Sequence, residues 1–296
     1  MLHHPNLNAI PHRIINTVDC TVKQRYPFLI SVPHGGVEVP EEVRDRILLL
    51  EQNLLYYCDP ATRILFDFKK QVEVFLDTPL SRMVVDLNRP PLPLPGKDPD
   101  GIIKVRTVDG KDVYFPGQFP DMTLAHRLLM AYYFPYHQRL DELIDQHPVK
   151  IAFDCHSMLP FGSCGQSDAG RPRPLICLGN NGDRRGRAKK GSIATCPAAW
   201  IEALAGAFRK EFSLDREVAI NNPFSGGFVA NAHYWHKGIP WIQIELSRGL
   251  YEPEPGGELA ARGSDLQRIM VLREKIWNAL TMFWNRIEEK TGTGLI

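Results

Sequence analysis

A chain of 296 residues with 44% apolar and 23% charged side chains is long enough to bury a sizeable core and has an ordinary globular composition. Its formal net charge of +1 gives no field that would recruit nucleic acid or an anionic membrane, and no run approaches the roughly 20 apolar residues of a membrane helix. Six dispersed cysteines with no CxxC pair fit reduced thiols in a cytoplasm and argue against a structural zinc knuckle.

Residues 1–26 are polar and dotted with Pro and His; they read as a surface wrap and lack the charged start and apolar core of a signal peptide. The apolar run at 28–32 predicts a strand buried on both faces. Pro40-Glu41-Glu42 opens a predicted helix to about residue 50, because acids in a first turn suit the helix dipole. A second helix is expected after Asp59, which stands where an N-cap would. Strands follow at 72–76 and 83–87. Within the Pro/Gly-rich stretch 89–120, the segment IIKVRTVDGKDVYF reads as a hairpin turning at Asp109-Gly110, expected as a flap over residues 100–118. A helical pattern over 123–147 is interrupted by Pro135, where a kink or break is expected.

After a strand at 150–153 comes a short apolar run at 175–178. The basic segment NNGDRRGRAKKGS then predicts a mobile loop over 180–195. A helix at about 197–212 and strands at 217–220 and 241–246 follow. The last helix is expected from Ser264 as N-cap to about Lys290, with Leu266, Ile269, Leu272, Ile276, Leu280, Phe283 and Ile287 on its buried face. Strands alternating with helices imply one α/β domain over 1–296, a three-layer α/β/α arrangement around a largely parallel sheet.

Three of the strands end on reactive side chains: His34 in PHGG, Asp154 and His156 in DCHS, and Glu245 with Arg248 in IELSR. Two imidazoles and a carboxylate at strand ends suit a single Zn²⁺ and an activated water, other divalent transition metals being possible. For the third ligand Asp59, at a predicted helix start, is the better candidate, with Asp154 and Glu38 as alternatives. Glu245 lies within an apolar strand, where an ionised carboxylate needs a partner or a task; it reads as a general base with a raised pKa. Arg82, Asn88 and Arg89 in SRMVVDLNRP supply cationic forks with an amide, suited to a carbonyl (Arg82) and to a substrate carboxylate (Asn88, Arg89). Asn222, in NNPFSGGF, and Arg248 are further substrate-binding candidates.

In this order, VPHGG, SRMVVDLNRP, FPYH, DCHSM, NNPFSGGF and IQIELSRGLY resemble the N-formylglutamate amidohydrolase family from about residue 28 to residue 251. The resemblance implies a zinc-carboxypeptidase-like fold with a mixed sheet of about eight strands. It also implies hydrolysis of the amide of N-formyl-L-glutamate, a small carboxylate-bearing N-acyl amino acid, in histidine breakdown. On it His34 and His156 are metal ligands and Glu245 the base. The carboxypeptidases and aspartoacylase take a glutamate three residues after the first histidine, and here that position is Val37. A dicarboxylate needs a second cation, for which Arg106, Arg216 and Arg248 are candidates. Two rival readings are a cysteine hydrolase using Cys155 beside His156 and a binding protein that kept the pocket without turnover. Adjacent residues on a strand point to opposite faces, which places the first badly.

Overall fold

Odd and even residues of the central strands face two different helical layers, and that alternation decides where the polar groups collect. The computed structural model describes residues 25–93, 97–214, 217–252 and 266–292. Its strands are β1 (Tyr26–Val32), β2 (Val72–Asp77), β3 (Ile151–Met158), β4 (Ile176–Gly179), β5 (Val218–Ile220) and β6 (Trp241–Ser247). The helices are α1 (Glu51–Tyr57), α2 (Thr62–Leu65), α3 (Met122–Leu128), α4 (Phe134–Gln146), α5 (Ala198–Phe212), α6 (Phe228–Lys237) and α7 (Leu266–Gly292). The strands form one mixed sheet in the order β2-β1-β3-β6-β4-β5. All neighbours are parallel except β4 against β6.

Phe28, Ile30 and Val32 of β1, Phe153 and Cys155 of β3, and Ile242, Ile244 and Leu246 of β6 pack in one core with α5 and α7. Leu29, Ala152 and Trp241 face the opposite core, beneath α3, α4 and α6. On that second face the same alternation continues toward the carboxyl ends of the strands as Ser31, Asp154, His156, Gln243 and Glu245, all buried. The apolar half of each strand therefore fixes the layer, and the polar half is carried with it into one place.

The three-layer α/β architecture expected from the sequence is present, with six strands among the described residues rather than about eight. The strand expected at 83–87 is absent, and the expected hairpin flap forms no ladder. Residues 83–87 are buried but turn, their amides bonding locally (Val84 N–H and Val85 N–H to Ser81 O) and Asp86 N–H reaching Ile102 O. The segment around Asp109-Gly110 makes the expected turn, but its only antiparallel bridges are Arg106 to Asp112 and Ile47 to Tyr114, too few for a ladder. The helix expected after Pro40 is a short 3-10 turn, Glu41–Arg46. Across Pro135 the chain stays helical, because a π turn at Leu129–Tyr133 widens the spiral before the residue that cannot donate.

Residues 180–195 carry no regular element, yet the buried Asn180 amide donates to Gly186 O and Cys196 O across the segment. The final helix buries the predicted stripe from Ile269 to Ile287, whereas Leu266 at its start is exposed. Ser264, its expected N-cap, lies outside the described residues, as does most of 1–26. No helix among the described residues is long and apolar enough to cross a membrane.

Leu280 is fully buried where α7 meets the sheet, and Val271 on the same helix is exposed. Leu280→Ala is expected to lower unfolding stability in urea by about 2–5 kcal/mol and Val271→Ala by less than about 0.5 kcal/mol.

Candidate active site

Immediately beyond β1 the chain runs through Pro33 to His34 and then passes hard against the end of β2. A Cβ on Gly36 would lie 2.1 Å from the Pro79 backbone, so only glycine permits the close parallel bridge from Gly36 to Ser81. His34 is thereby held in the interior, 2% exposed, and its carbonyl accepts from Asp59 N–H. Asp59 follows the end of α1. Its backbone carbonyl, rather than its carboxylate, takes the bonds from Thr62 at the start of α2. The expected capping role for its side chain is not what is found: the carboxylate turns inward, with Oδ2 2.9 Å from Nδ1 of His156 and 3.7 Å from Nδ1 of His34.

One potential ligand atom from each of His34, Asp59 and His156 lies within 4.8 Å of the others. These are the three residues the sequence nominated for the metal. Of the other two carboxylates considered, Glu38 is exposed with its backbone bridged to Leu80, and Asp154 stands behind His156 with Oδ2 3.0 Å from Nε2. Behind His34, Asp86 Oδ1 is 2.6 Å from Nε2. A carboxylate accepts only, so each favours a proton on Nε2 and leaves Nδ1 facing Asp59. Nδ1 of His34 is buried and has no hydrogen-bond partner, a costly arrangement that a cation among the three side chains would relieve. The donor set fits one divalent transition metal.

Burial opposes charge on Asp59, but its hydrogen bond to His156 and the nearby ring of His34 hold its carboxyl well below the usual range. Burial likewise opposes a charged His156, and Asp154 with Asp59 outweighs it, raising that ring well above a normal histidine. A bound metal would displace the proton so held.

Glu245 stands on β6 opposite His156 on β3. Its Oε1 accepts from Gln243 Nε2 at 2.6 Å, and burial pushes its pKa up to about 7 against the pull of His156. Arg82 reaches the same place, with Nη2 3.0 Å from Asp86 Oδ2 and Nη1 3.5 Å from Asp59 Oδ1. Sequence reasoning passed over Asp86 and Lys104. Lys104, 1% exposed, sits 2.9 Å from Asp86 Oδ2 and 2.5 Å from Asp100 Oδ1. The signal was available: like Glu245, each is a lone charge inside an apolar run, MVVDL and IIKV.

These groups line a cavity of about 630 Å³ whose walls include Arg82, Lys104, Arg173, Glu245 and Arg248 and whose rim includes residues 106–110. Arg89 borders it, its guanidinium bonded to Asp100 through Nη2 at 2.7 Å. Asn88 is committed elsewhere: Nδ2 lies 3.0 Å from Asp154 Oδ2 and from His156 Nε2, while Oδ1 accepts from Val229 N–H. A Cβ on Gly227 would lie 2.2 Å from that amide, which holds Asn88 as a brace rather than leaving it free for a ligand.

Asn222 is exposed and outside the lining; its neighbour Asn221 turns back to bond Asn180, and the chain presents Phe224, Gly226 and Gly227 to the cavity instead. Arg248 is buried against Glu252, with Nη2 unpaired. Arg106 is exposed and paired to Asp112, and Arg216 lies outside the described residues. Arg173, not singled out beforehand, is locked to Asp168 and lies 4.9 Å over the Phe224 ring.

A family model described as N-formylglutamate amidohydrolase matches residues 26–252. An N-formylglutamate deformylase from Pseudomonas putida is 29% identical, over 78% of this chain and 84% of that protein. Among solved structures, the N-formylglutamate amidohydrolase from Ralstonia eutropha JMP134 superposes with a TM-score of 0.68 at 21% identity, covering 92% of this chain and 96% of the other. A gene product from Agrobacterium tumefaciens gives a TM-score of 0.57 at 20% identity, covering 86% and 90%. The chain belongs to the N-formylglutamate amidohydrolase family.

The rival nucleophile, Cys155, points into the α5/α7 core, away from His156, and burial raises its thiol well above the ordinary value. Cys164 is exposed at the cavity. Brief alkylation of the native protein with iodoacetamide, mapped by mass spectrometry, is expected to label Cys164 and leave Cys155 unmodified until the protein is unfolded.

Proposed function

We propose that this chain hydrolyses the amide bond of a small N-acyl amino acid, most specifically N-formyl-L-glutamate to formate and L-glutamate, with one zinc ion held by His34, Asp59 and His156. The observation that carries the reading is the orphaned, buried Nδ1 of His34 beside Asp59 and His156, with Glu245 at the same strand ends. The substrate rests on the family and on the deformylase relative. A cytoplasmic step of histidine breakdown is the setting that this substrate implies.

When bound, zinc supplies Lewis acidity toward a carbonyl oxygen and acidifies water at neutral pH. Glu245, buried and raised in pKa, takes the proton from the attacking water and returns it to the departing nitrogen, so formate leaves as the carboxylate and glutamate as the amine. Arg82 faces the oxygen that gains charge as the carbonyl becomes tetrahedral. Its own position is set by Asp86 and Asp59. Arg89 anchors one substrate carboxylate, exchanging Asp100 for it, and the unpaired Nη2 of Arg248 supports a contact to the second. Asn88 serves by keeping Asp154 and His156 in place. Residues 100–118 act as a flap: Asp109 is tied to Tyr57 O–H at 2.5 Å, and Val108 O to Gly165 N–H, across the cavity mouth.

Metal analysis of the purified protein is expected to find one equivalent of transition metal, lost in Asp59→Ala. In a screen of N-formyl, N-acetyl and N-succinyl amino acids, Glu245→Gln should reduce kcat roughly 10²–10⁴-fold while retaining the metal. Activity without stoichiometric metal, resistant to chelators, would contradict the mechanism, and an unaffected Glu245→Gln would contradict the role given to that carboxylate.

A further inference from the structure

Behind the cavity, on the side of α4 and α6, lies a chain of titratable groups that the hydrolytic mechanism does not use. His137 of α4 has Nε2 3.1 Å from the carbonyl oxygen of Leu87 and Nδ1 2.9 Å from Nε2 of His233 on α6. His233 continues the line, with Nδ1 2.8 Å from Asp141 Oδ1 back on α4. The other carboxylate oxygen of Asp141 is 2.8 Å from Nδ1 of His236. The planes of His137 and His233 are 14° apart and their centroids 5.2 Å apart. With a nitrogen–nitrogen distance of 2.9 Å, the rings meet edge to edge through an N–H···N bond rather than face to face.

The two ends of this chain decide how many protons it holds. Leu87 C=O can only accept, so Nε2 of His137 must carry hydrogen. Asp141 is held below the usual carboxylate range by its histidine partners against the effect of burial, and it too only accepts; Nδ1 of His233 must therefore carry hydrogen. The nitrogen–nitrogen bond in the middle needs one more. Three protons on two imidazoles make one of them an imidazolium. The charge belongs on His233, 3% exposed and in contact with the Asp141 carboxylate, with the indole of Trp241 5.8 Å away on β6. His137, packed among the rings of Tyr133, Tyr136 and Phe228, is the neutral member. Burial and then the neighbouring His233 depress it to about 3, against smaller opposing pulls from the Leu87 carbonyl, Asp141 and Asp154.

The chain ends on the backbone that positions the site. Leu87 lies between Asp86, which holds His34, and Asn88, which contacts Asp154 and His156. Tyr133 O–H takes the carbonyl of Arg89 at 2.8 Å, and the first turn of α6 holds Asn88 through Val229 N–H. Helices α4 and α6, with the π turn that precedes α4, thus grip three successive residues, and the His137–His233–Asp141 line joins the two helices at that point.

We propose that His233 is a buried imidazolium, paired with Asp141, which acts through His137 as a positioning residue for the Asp86–Arg89 segment of the active site. No part of this line touches the cavity, so its effect is on where Asn88 and Arg89 stand.

The metal-reconstituted protein with nitrogen-15-labelled histidine, observed by NMR near neutral pH, tests the charge. Both nitrogens of His233 are expected to be protonated, and His137 only at Nε2. A His233 with one protonated nitrogen overturns the proposal. Asp141→Asn, at a partly exposed position, should remove the second His233 proton and raise KM for N-formylglutamate about tenfold, with kcat within about twofold of the parent. Loss of that proton with an unchanged KM overturns the positioning role. The kinetic arm rests on the hydrolase reading. If the parent chain hydrolyses none of the N-acyl amino acids, that reading fails, and the NMR spectrum alone decides the charge.

Discussion

The carboxylates behind the two histidines govern the rest of the site. Asp86 and Asp154 are fully buried and face the Nε2 atoms of His34 and His156, so both rings offer Nδ1 to the same carboxylate, Asp59. A buried carboxylate is costly by itself, and each is compensated by more than a histidine. Asp86 also meets Arg82, Lys104 and the backbone N–H of Asn88, and Asp154 meets the Asn88 amide. The ligand geometry is therefore inseparable from the cations around it. Lys104 passes from Asp86 to Asp100, which in turn occupies Arg89, so a line of alternating charge joins a metal-ligand candidate to a substrate-anchor candidate.

Sheet geometry makes this economical. In β3 and β6 the residues that face α4 and α6 begin as Ala152 and Trp241 and end as His156 and Glu245, one strand pair supplying both apolar core and chemistry. Parallel β1, β3 and β6 bring their carboxyl ends side by side, which places His34 next to His156 although they are 122 positions apart in the sequence. Asp59 arrives from outside the sheet, carried by the turn after α1. That explains why no fixed spacing from His34 announces it.

The layers, the parallel central strands, His34, His156, Glu245 and Arg82 were legible because each sits at or beside an apolar run whose period identifies its element. Residues 83–87 were misread as a strand because burial and apolarity are shared by strands and buried turns; only the backbone partners, Ser81 and Ile102, separate them. At Asn88 a sequence shows an amide beside an arginine, not that Gly227 and Val229 close over it. The exposure of Asn222 is illegible for a related reason, since which of two adjacent asparagines turns inward depends on a partner, Asn180, far along the chain. Among Asp59, Asp154 and Glu38, composition cannot choose; that choice belongs to the fold.

The most direct test is a crystal structure of the protein reconstituted with one equivalent of zinc, with the ion located by anomalous scattering. The proposed site requires a single strong peak within about 2.0–2.2 Å of Nδ1 of His34, Nδ1 of His156 and a carboxylate oxygen of Asp59, with Nε2 of each ring still against Asp86 and Asp154. Zinc bound through Nε2, or at other side chains with these three left apart, would contradict it.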